Sequence, residues 1–268
     1  MIGRGKTIRH AGNALVYAKT KLGAQEIDRQ YIRGHSPKEI EAEFKLFGDM
    51  NTRCEKNILA FVISPTIEDG KKLSLQDMQS ITRDFIKGMN LEEHQYVAYS
   101  HHDKAHQHVH LYVNRIDLAG KAYKDSFLSN RASRLAEQIA LNRGLTTAKQ
   151  VQLQKQAEKK PMQEQVLKAH RAVLKQAPKD VEQYSQLMRE RGLGVVLKRN
   201  KEGQLVGVQF ELIDAASTGA KGEKIKASDV DRNLSGNRLA SLLTENLKNV
   251  QTQQKLSTDN KSGLINKR

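Results

Sequence analysis

Apolar residues recur along the first half of the chain with two periodicities, one typical of strands and one typical of helices. The apolar run 58–63 and the segment 95–99 predict buried strands. The segment 108–114 alternates residue by residue, and successive strand residues point to opposite faces. Every second residue from Val109 on would then face the core, and the residues between them would form a polar face.

Helical periodicity fills the gaps between these strands. Ser36, followed by Pro37 and Glu39, predicts a capped helix start, and Ser74 predicts another. Ser129 is expected to cap a third helix after the last strand. Together these elements predict an α+β fold, with an antiparallel central sheet, helices packed on one face and the other face open to a substrate.

A helix is also predicted near the N-terminus, where Leu15, Ala18 and Leu22 share one apolar stripe. Tyr17 lies about 200° around the helix from Leu15, so it points away from that stripe. A surface tyrosine is the commonest explanation for such a position. A position outside the core also leaves the phenol free for chemistry.

The second half of the chain is helical and then hairpin-like. We predict a first domain over 1–147, a helical connector over 148–192, a small C-terminal hairpin and helix region over 193–250, and a disordered tail over 251–268.

Charge and cysteine content narrow the class of protein. Lys and Arg number 45 against 30 Asp and Glu, a net charge of +15, which favours a polyanionic partner and nucleic acid first. Cys54 is the single cysteine, so no intramolecular disulfide forms and a reducing, cytoplasmic location is expected. We also expect no signal peptide, no membrane insertion and no NTPase activity, since the apolar stretches are short and no phosphate loop occurs.

Five of the nine histidines lie within residues 101–110. His108 and His110 would project side by side from one face of a strand, where neutral imidazoles can bind a metal. His101 or His102 could supply a third ligand, but adjacent strand residues face opposite ways, so only one is expected to do so. A structural zinc site usually needs cysteines, and a loose histidine-rich tract lacks a strand pattern, so a catalytic metal site is favoured.

This stretch resembles a histidine motif of plasmid mobilisation relaxases, the MobA/VirD2-like branch of the HUH endonuclease superfamily. The matching residues are His101, Asp103, His106, His108, His110, Asn114 and Arg115. Tyr17 stands where that family carries its nucleophile, and the resemblance extends over about residues 6–147. It therefore implies a relaxase nuclease domain over residues 1–147.

The resemblance implies a role for each matching residue. His101, chosen over His102 by motif spacing, would bind a divalent metal with His108 and His110. The family is associated with Mg or Mn, whereas three imidazoles also suit Zn, Co or Ni. Asp103 and His106 would support catalysis, and Asn114 and Arg115 would contact DNA.

The implied function is relaxase activity in plasmid or mobile-element mobilisation. Tyr17 would nick single-stranded origin-of-transfer DNA, hold the 5′ end as a phosphotyrosine and later rejoin the ends. Accessory mobilisation proteins and a coupling or secretion system in a bacterial cytoplasm would be the partners.

Three other functions stay open from the sequence. A rolling-circle replication initiator or transposase of the same superfamily would use a downstream tyrosine, for which Tyr123 is the candidate. A DNA-binding accessory protein would use the metal only for stability. A metallohydrolase would release both DNA ends by water attack. The isolated residues His10, His35, His94 and His170 are expected to be ordinary surface histidines.

Overall fold

The computed structural model describes residues 1–102, 107–213, 223–236, 238–245 and 248. The chain divides into two compact units, Met1–Leu153 and Gln154–Arg268. Each unit has its own hydrophobic core. Among the described residues, no helix combines the length and the apolar character needed to cross a membrane.

The first unit is built on a five-stranded antiparallel sheet. Its strands are β1 (Ile2–Ile8), β2 (Gln25–Gln30), β3 (Ile58–Ser64), β4 (His94–His101) and β5 (His108–Asp117). Their order across the sheet is β1-β3-β5-β4-β2. The predicted α+β fold with an antiparallel central sheet is therefore confirmed.

Five helices accompany this sheet. They are α1 (Gly12–Thr20), α2 (Pro37–Gly48), α3 (Ile67–Gly70), α4 (Leu75–Gly88) and α5 (Leu128–Asn142). Ser36 and Ser74 form the predicted capping boxes, in which the serine accepts a backbone N–H and the acidic residue three positions later returns a bond. The prediction for Ser129 is wrong, because α5 already begins at Leu128 and its N-cap Phe127 makes no side-chain bond.

One face of the sheet packs against α4 and α5 in a dry core. Phe61 of β3 and Phe85 of α4 are fully buried there with ring centroids 5.2 Å apart. Leu111 of β5 and Ala132 of α5 belong to the same cluster. This is the face on which helices were expected.

The opposite face is covered only in part, by α1 and α2. Leu15 and Ala18 of α1 are fully buried there, as predicted, and they cluster with Tyr99 of β4. The prediction that Leu22 is buried is wrong. Helix α1 ends at Thr20, and Leu22 is 92% exposed.

The two outermost strands, β1 and β2, were not predicted. Strand β2 has the sequence Gln-Glu-Ile-Asp-Arg-Gln, without an apolar run, and β1 carries two glycines and two cations. Edge strands bond to a neighbour on one side only, so they need fewer apolar residues than central strands.

The second unit combines helices with a small antiparallel sheet. Helix α6 (Ala148–Leu174) begins in the first unit and continues into the second, where it is followed by α7 (Val181–Arg189), β6 (Leu193–Arg199), β7 (Leu205–Leu212), β8 (Lys224–Lys226), α8 (Ala227–Val230) and a 3₁₀ turn (Arg232–Leu234). Strands β6 and β7 form the predicted hairpin.

Val166 of α6, Tyr184 of α7 and Phe210 of β7 share one core, so the helices of this unit are part of its packing. The domain bounds drawn from the sequence remain predictions, and the tail over 251–268 lies outside the described residues.

Two histidines expected at the surface are buried instead. His94 donates Nδ1–H to the Asn114 carbonyl over 2.8 Å, and His170 Nδ1 lies 3.0 Å from the Tyr184 hydroxyl. Both satisfy their polar atoms inside a core, which isolated sequence positions could not reveal. His10 and His35 are exposed, as predicted.

Candidate metal centre and nucleophile

Three histidines meet on the partly covered face of the sheet, where β4 and β5 pair. His101 pairs directly with His108 in the antiparallel register, and His110 follows two residues further along β5. One ring nitrogen from each histidine lies within 4.8 Å of the others. The three residues form a cluster that can hold a metal ion, and the alternation seen in the sequence is what brings them together.

The backbone of α1 fixes the orientation of His101. Its Nε2–H donates to the Ala18 carbonyl over 2.7 Å, so the neutral ring carries its free lone pair on Nδ1. That buried Nδ1 has no hydrogen-bond partner among the described residues. A buried nitrogen without a partner is costly, and a metal ion would satisfy it. This nitrogen is the observation that fits the cluster to a metal.

His102, the alternative third ligand, does not join this cluster. Its side chain is exposed, whereas His101 is fully buried beside the other two rings. The ring centroids of His101 and His110 are 4.5 Å apart. The geometry therefore favours His101, although its role as a ligand remains a proposal.

Tyr17 lies beside this cluster, at the last turns of α1. Its ring centroid is 5.9 Å from that of His101 and 6.0 Å from that of His110. The side chain is 48% exposed. Since Ala18, the next residue, bonds to His101, the same helical turn holds both the tyrosine and a candidate ligand.

Lys21, which the sequence reasoning missed, contacts the phenol. Its Nζ donates to Tyr17 Oη over 2.5 Å and lies 4.6 Å from the ring centroid. The four-residue spacing on a helix end is the signal that could have found it. The ammonium puts a positive charge next to the oxygen that would carry negative charge after proton loss.

A cleft of about 700 Å³ runs from Tyr17 and His110 across the sheet toward β1. Its lining combines basic, small and apolar side chains. The residues that line it are Arg4, Gly5, Lys6, Ile8, His10, Asn13, Ala14, Tyr17, Ala60, Phe61, Val62, His110, Tyr112 and Ser129. The cleft leaves Tyr17 accessible from solvent.

Two other tyrosines deserve comparison with Tyr17. Tyr112 lines the same cleft but is only 5% exposed, and burial raises its pKa to about 12. Tyr123 donates its hydroxyl to the Met89 carbonyl over 2.6 Å and packs against the dry core, on the other side of the sheet. Burial also raises the pKa of Tyr123. Tyr17 is thus the accessible phenol at the histidine cluster.

The side chains of Asn114 and Arg115, which were expected to contact DNA, are bonded within the protein. Asn114 is fully buried, and its amide donates to the Phe44 carbonyl and to Gln95. Arg115 forms an ion pair with Asp125 over 2.8 Å. Both side chains are committed to the protein, so the expected DNA contacts from them gain no support. Asp103 and His106 lie outside the described residues.

Part of the chain matches a known protein family. Residues 16–145 match the family model described as Relaxase: MobA/VirD2-like, nuclease domain. This range includes Tyr17 and the three clustered histidines. Neither a curated protein nor a solved structure matches the chain significantly.

Proposed function

Residues 16–145 form a nuclease domain of the MobA/VirD2-like relaxase family, and from this premise we propose that the chain nicks and rejoins single-stranded DNA by tyrosine transesterification. A DNA-nicking enzyme is what the family implies. The identity of the nucleophile, the metal ligands and the substrate are our assignments. The observation that carries them is the accessible Tyr17 phenol beside His101 and His110.

Tyr17 is the nucleophile in this proposal. Its Oη forms a bond to the phosphorus of one phosphodiester while the bond from phosphorus to O3′ breaks. The phenolic proton is given up and the leaving oxygen gains one, so the products are a free 3′-OH and a 5′-phosphotyrosyl end. No water is consumed, and the reverse step rejoins the strand without a further energy source.

The three histidines hold a divalent metal next to Tyr17. When bound, the ion supplies positive charge that offsets the charge developing on the oxygens of the reacting phosphate. His101 is oriented for this by the Ala18 carbonyl. Mg or Mn is expected from the family, and the donor set of three imidazoles also accepts Zn, Co or Ni.

Lys21 assists the nucleophile. Its ammonium donates to the phenol oxygen and lies over the ring, so it fixes the phenol and stabilises the oxygen as negative charge develops. Lys21 is half-buried, and we assign it a supporting role.

The substrate is single-stranded DNA at an origin of transfer, in plasmid or mobile-element mobilisation. An open cleft admits one strand to the cluster, and the net charge of +15 suits a polyanion. Accessory mobilisation proteins and a coupling or secretion system are the partners that this function would require.

The rival nucleophile, Tyr123, is less well placed for this chemistry. Its hydroxyl is bonded to Met89, and its ring packs against His94 and on the dry side of the sheet. This contact pattern favours the relaxase order, with the nucleophile upstream of the histidines, over that of a rolling-circle initiator.

The test is capture of the covalent intermediate. The full chain is incubated with a random pool of single-stranded oligonucleotides and Mn²⁺, and denaturing gels separate protein-linked DNA. Mass spectrometry of the linked peptide is expected to identify Tyr17, and sequencing of the DNA to identify the preferred site. Tyr17→Phe is expected to yield no adduct.

Tyr123→Phe is the matched control, because it also removes one phenolic oxygen and is expected to keep the adduct. An adduct that persists in Tyr17→Phe and disappears in Tyr123→Phe would overturn the assignment of the nucleophile. Cleaved DNA without any protein-linked 5′ end would indicate hydrolysis by water.

A further inference from the structure

Strand β1 alternates glycines and cations between the two faces of the sheet. A Cβ on Gly3 would lie 2.4 Å from the Ala132 carbonyl oxygen of α5, so Gly3 faces the dry core. Arg4, which lies between Gly3 and Gly5, and Lys6, which follows Gly5, therefore face the cleft, which they line. Both side chains are exposed.

The rows of the sheet connect these cations to the candidate metal centre. Arg4 pairs with Val62 of β3, and Val62 pairs with His110 of β5. Lys6 lies in the next cleft-facing row, with Ala60 and Tyr112. Two strand spacings amount to about 10 Å. The backbones of Arg4 and Lys6 therefore lie about 10 Å from those of His110 and Tyr112, with Val62 and Ala60 between them.

Arg4 and Lys6 differ in their charge balance from several of the arginines in this unit. Arg9, Arg29, Arg83 and Arg143 are each paired with a carboxylate. Arg4 and Lys6 have no ion-pair partner among the described residues, and the described lining of the cleft contains no Asp or Glu. Two cations without a counter-charge, on one side of a cleft, are ready to bind an anion.

We propose that Arg4 and Lys6 form a phosphate-binding subsite, which holds the sugar-phosphate backbone of the DNA strand beside the phosphate that Tyr17 attacks. The subsite rests on the proposed function for its substrate. Phosphate contacts of this kind fix the register of a strand without reading its bases. Arg4 and Lys6 are therefore positioning residues, which act on affinity and alignment.

Salt dependence of binding tests the subsite directly. The full chain carrying Tyr17→Phe binds a labelled single-stranded oligo-dT at a series of salt concentrations, and the slope of log affinity against log salt is compared after Arg4→Gln and Lys6→Gln are added. Loss of two phosphate contacts is expected to reduce the slope by about 1.4, since each contact to a single strand contributes about 0.7.

The matched control is Lys87→Gln with Arg134→Gln. It removes the same charge from exposed positions on α4 and α5, the helices that pack on the face of the sheet opposite the cleft. Its slope is expected to stay close to that of the parent. Equal slopes for the two double variants would overturn the subsite, because net charge alone would then explain the loss. Inorganic phosphate as competitor is expected to be weak, since a continuous strand engages both cations at once.

The adduct assay separates this proposal from the proposed function. In a background with Tyr17 intact, Arg4→Gln with Lys6→Gln should raise the DNA concentration for half-maximal adduct formation and leave the saturating rate within about two-fold. If the Arg4→Gln and Lys6→Gln variant still forms Tyr17 adducts and its half-maximal DNA concentration is unchanged, the subsite is overturned and the proposed function is not. A reduced salt slope without any Tyr17 adduct would support the subsite and overturn the transesterase mechanism.

Discussion

The two faces of the five-stranded sheet are built from the same strands but differ in role, since one packs a hydrophobic core and the other carries the histidine cluster. On the dry face, Phe61 and Phe85 belong to a large cluster of buried apolar side chains. On the other face, the strands carry His101, His108 and His110, and α1 covers them only in part. Alternation lets one residue stabilise the fold while the next serves the site.

The histidine cluster is held in place by packing on the opposite face of the sheet. Every histidine of the cluster has a strand neighbour buried on the dry face, such as Val109 between His108 and His110. Packing on one side therefore fixes the positions of the imidazoles on the other. Substitutions on the two faces should accordingly separate stability from activity.

The largest effect is expected from Phe85→Ala on the dry face. The side chain is fully buried against Phe61, and its removal should lower the free energy of unfolding by about 3–5 kcal/mol. Urea unfolding followed by circular dichroism measures the loss. Phe127→Ala, at an 80% exposed phenylalanine, should change the midpoint little, and an equal loss in both variants would contradict the assigned core.

The next effect concerns the face of the sheet that carries the three histidines, where a substitution should lower activity and leave stability largely unchanged. His108→Ala removes a candidate ligand and should lower the rate of adduct formation by more than about 100-fold, since changes behind a ligand already cost 10–100-fold. Calorimetric titration with Mn²⁺ and binding of single-stranded DNA provide separate readouts. Metal binding should be lost while DNA binding and the folded state remain.

His102→Ala is the control for that experiment, because it removes a neighbouring exposed imidazole. Retained Mn²⁺ binding in His108→Ala together with its loss in His102→Ala would show that the ligand set was drawn wrongly. A sharp fall in thermal stability on metal removal, without any catalytic change, would instead favour a structural metal.

The central strands could be predicted because each carries a clear pattern. The alternation in β5 placed His108 and His110 on one face, and the structure brings His101 to them through the register of β4. Tyr17 was predicted to point away from the buried stripe of α1, and it is the accessible phenol beside the histidine cluster. Short-range periodicity was sufficient for these features.

The features missed by the sequence reasoning depend on contacts between distant segments. The bond from His101 to Ala18 joins residues 83 positions apart. Strand β1 pairs with β3 from fifty or more residues away, and its glycines are explained by close contacts with α5 and with Phe61 of β3. The burial of His94 likewise follows from Asn114 and Tyr123, which no local pattern connects to it.

A smaller effect should follow from Gly3→Ala, one residue from the cation Arg4. The added methyl would lie 2.4 Å from the Ala132 carbonyl oxygen and 2.7 Å from the Ala136 Cβ, so α5 must shift. Such overpacking should cost about 1–3 kcal/mol in the urea experiment. The salt slope of DNA binding should not change, whereas Arg4→Gln should change the slope and leave the stability unaffected. Similar behaviour of the two variants would contradict the alternation of β1.

The smallest effect is expected from pH, through the buried His94 at the end of β4 away from His101. Burial lowers its pKa below the ordinary value of 6.5, against the opposing effects of the Asn114 carbonyl, Asp117 and Glu93. The unfolded chain therefore takes up a proton at higher pH than the folded chain. The stability that neutral His94 contributes is present above about pH 6.5 and is lost as the pH falls from there toward the folded pKa.

His94→Gln, which has no titrating ring, should lose less stability than the parent between about pH 8 and about pH 5, as measured by the urea midpoint. His10→Gln, at an exposed histidine, should follow the parent at every pH. If His94→Gln also follows the parent, then His94 is protonated equally in both states and is not held neutral by the core. Each histidine donates one ring N–H to a backbone carbonyl, from Nδ1 in His94 and from Nε2 in His101, so it is Nδ1 of His101 that is left without a hydrogen bond among the described residues.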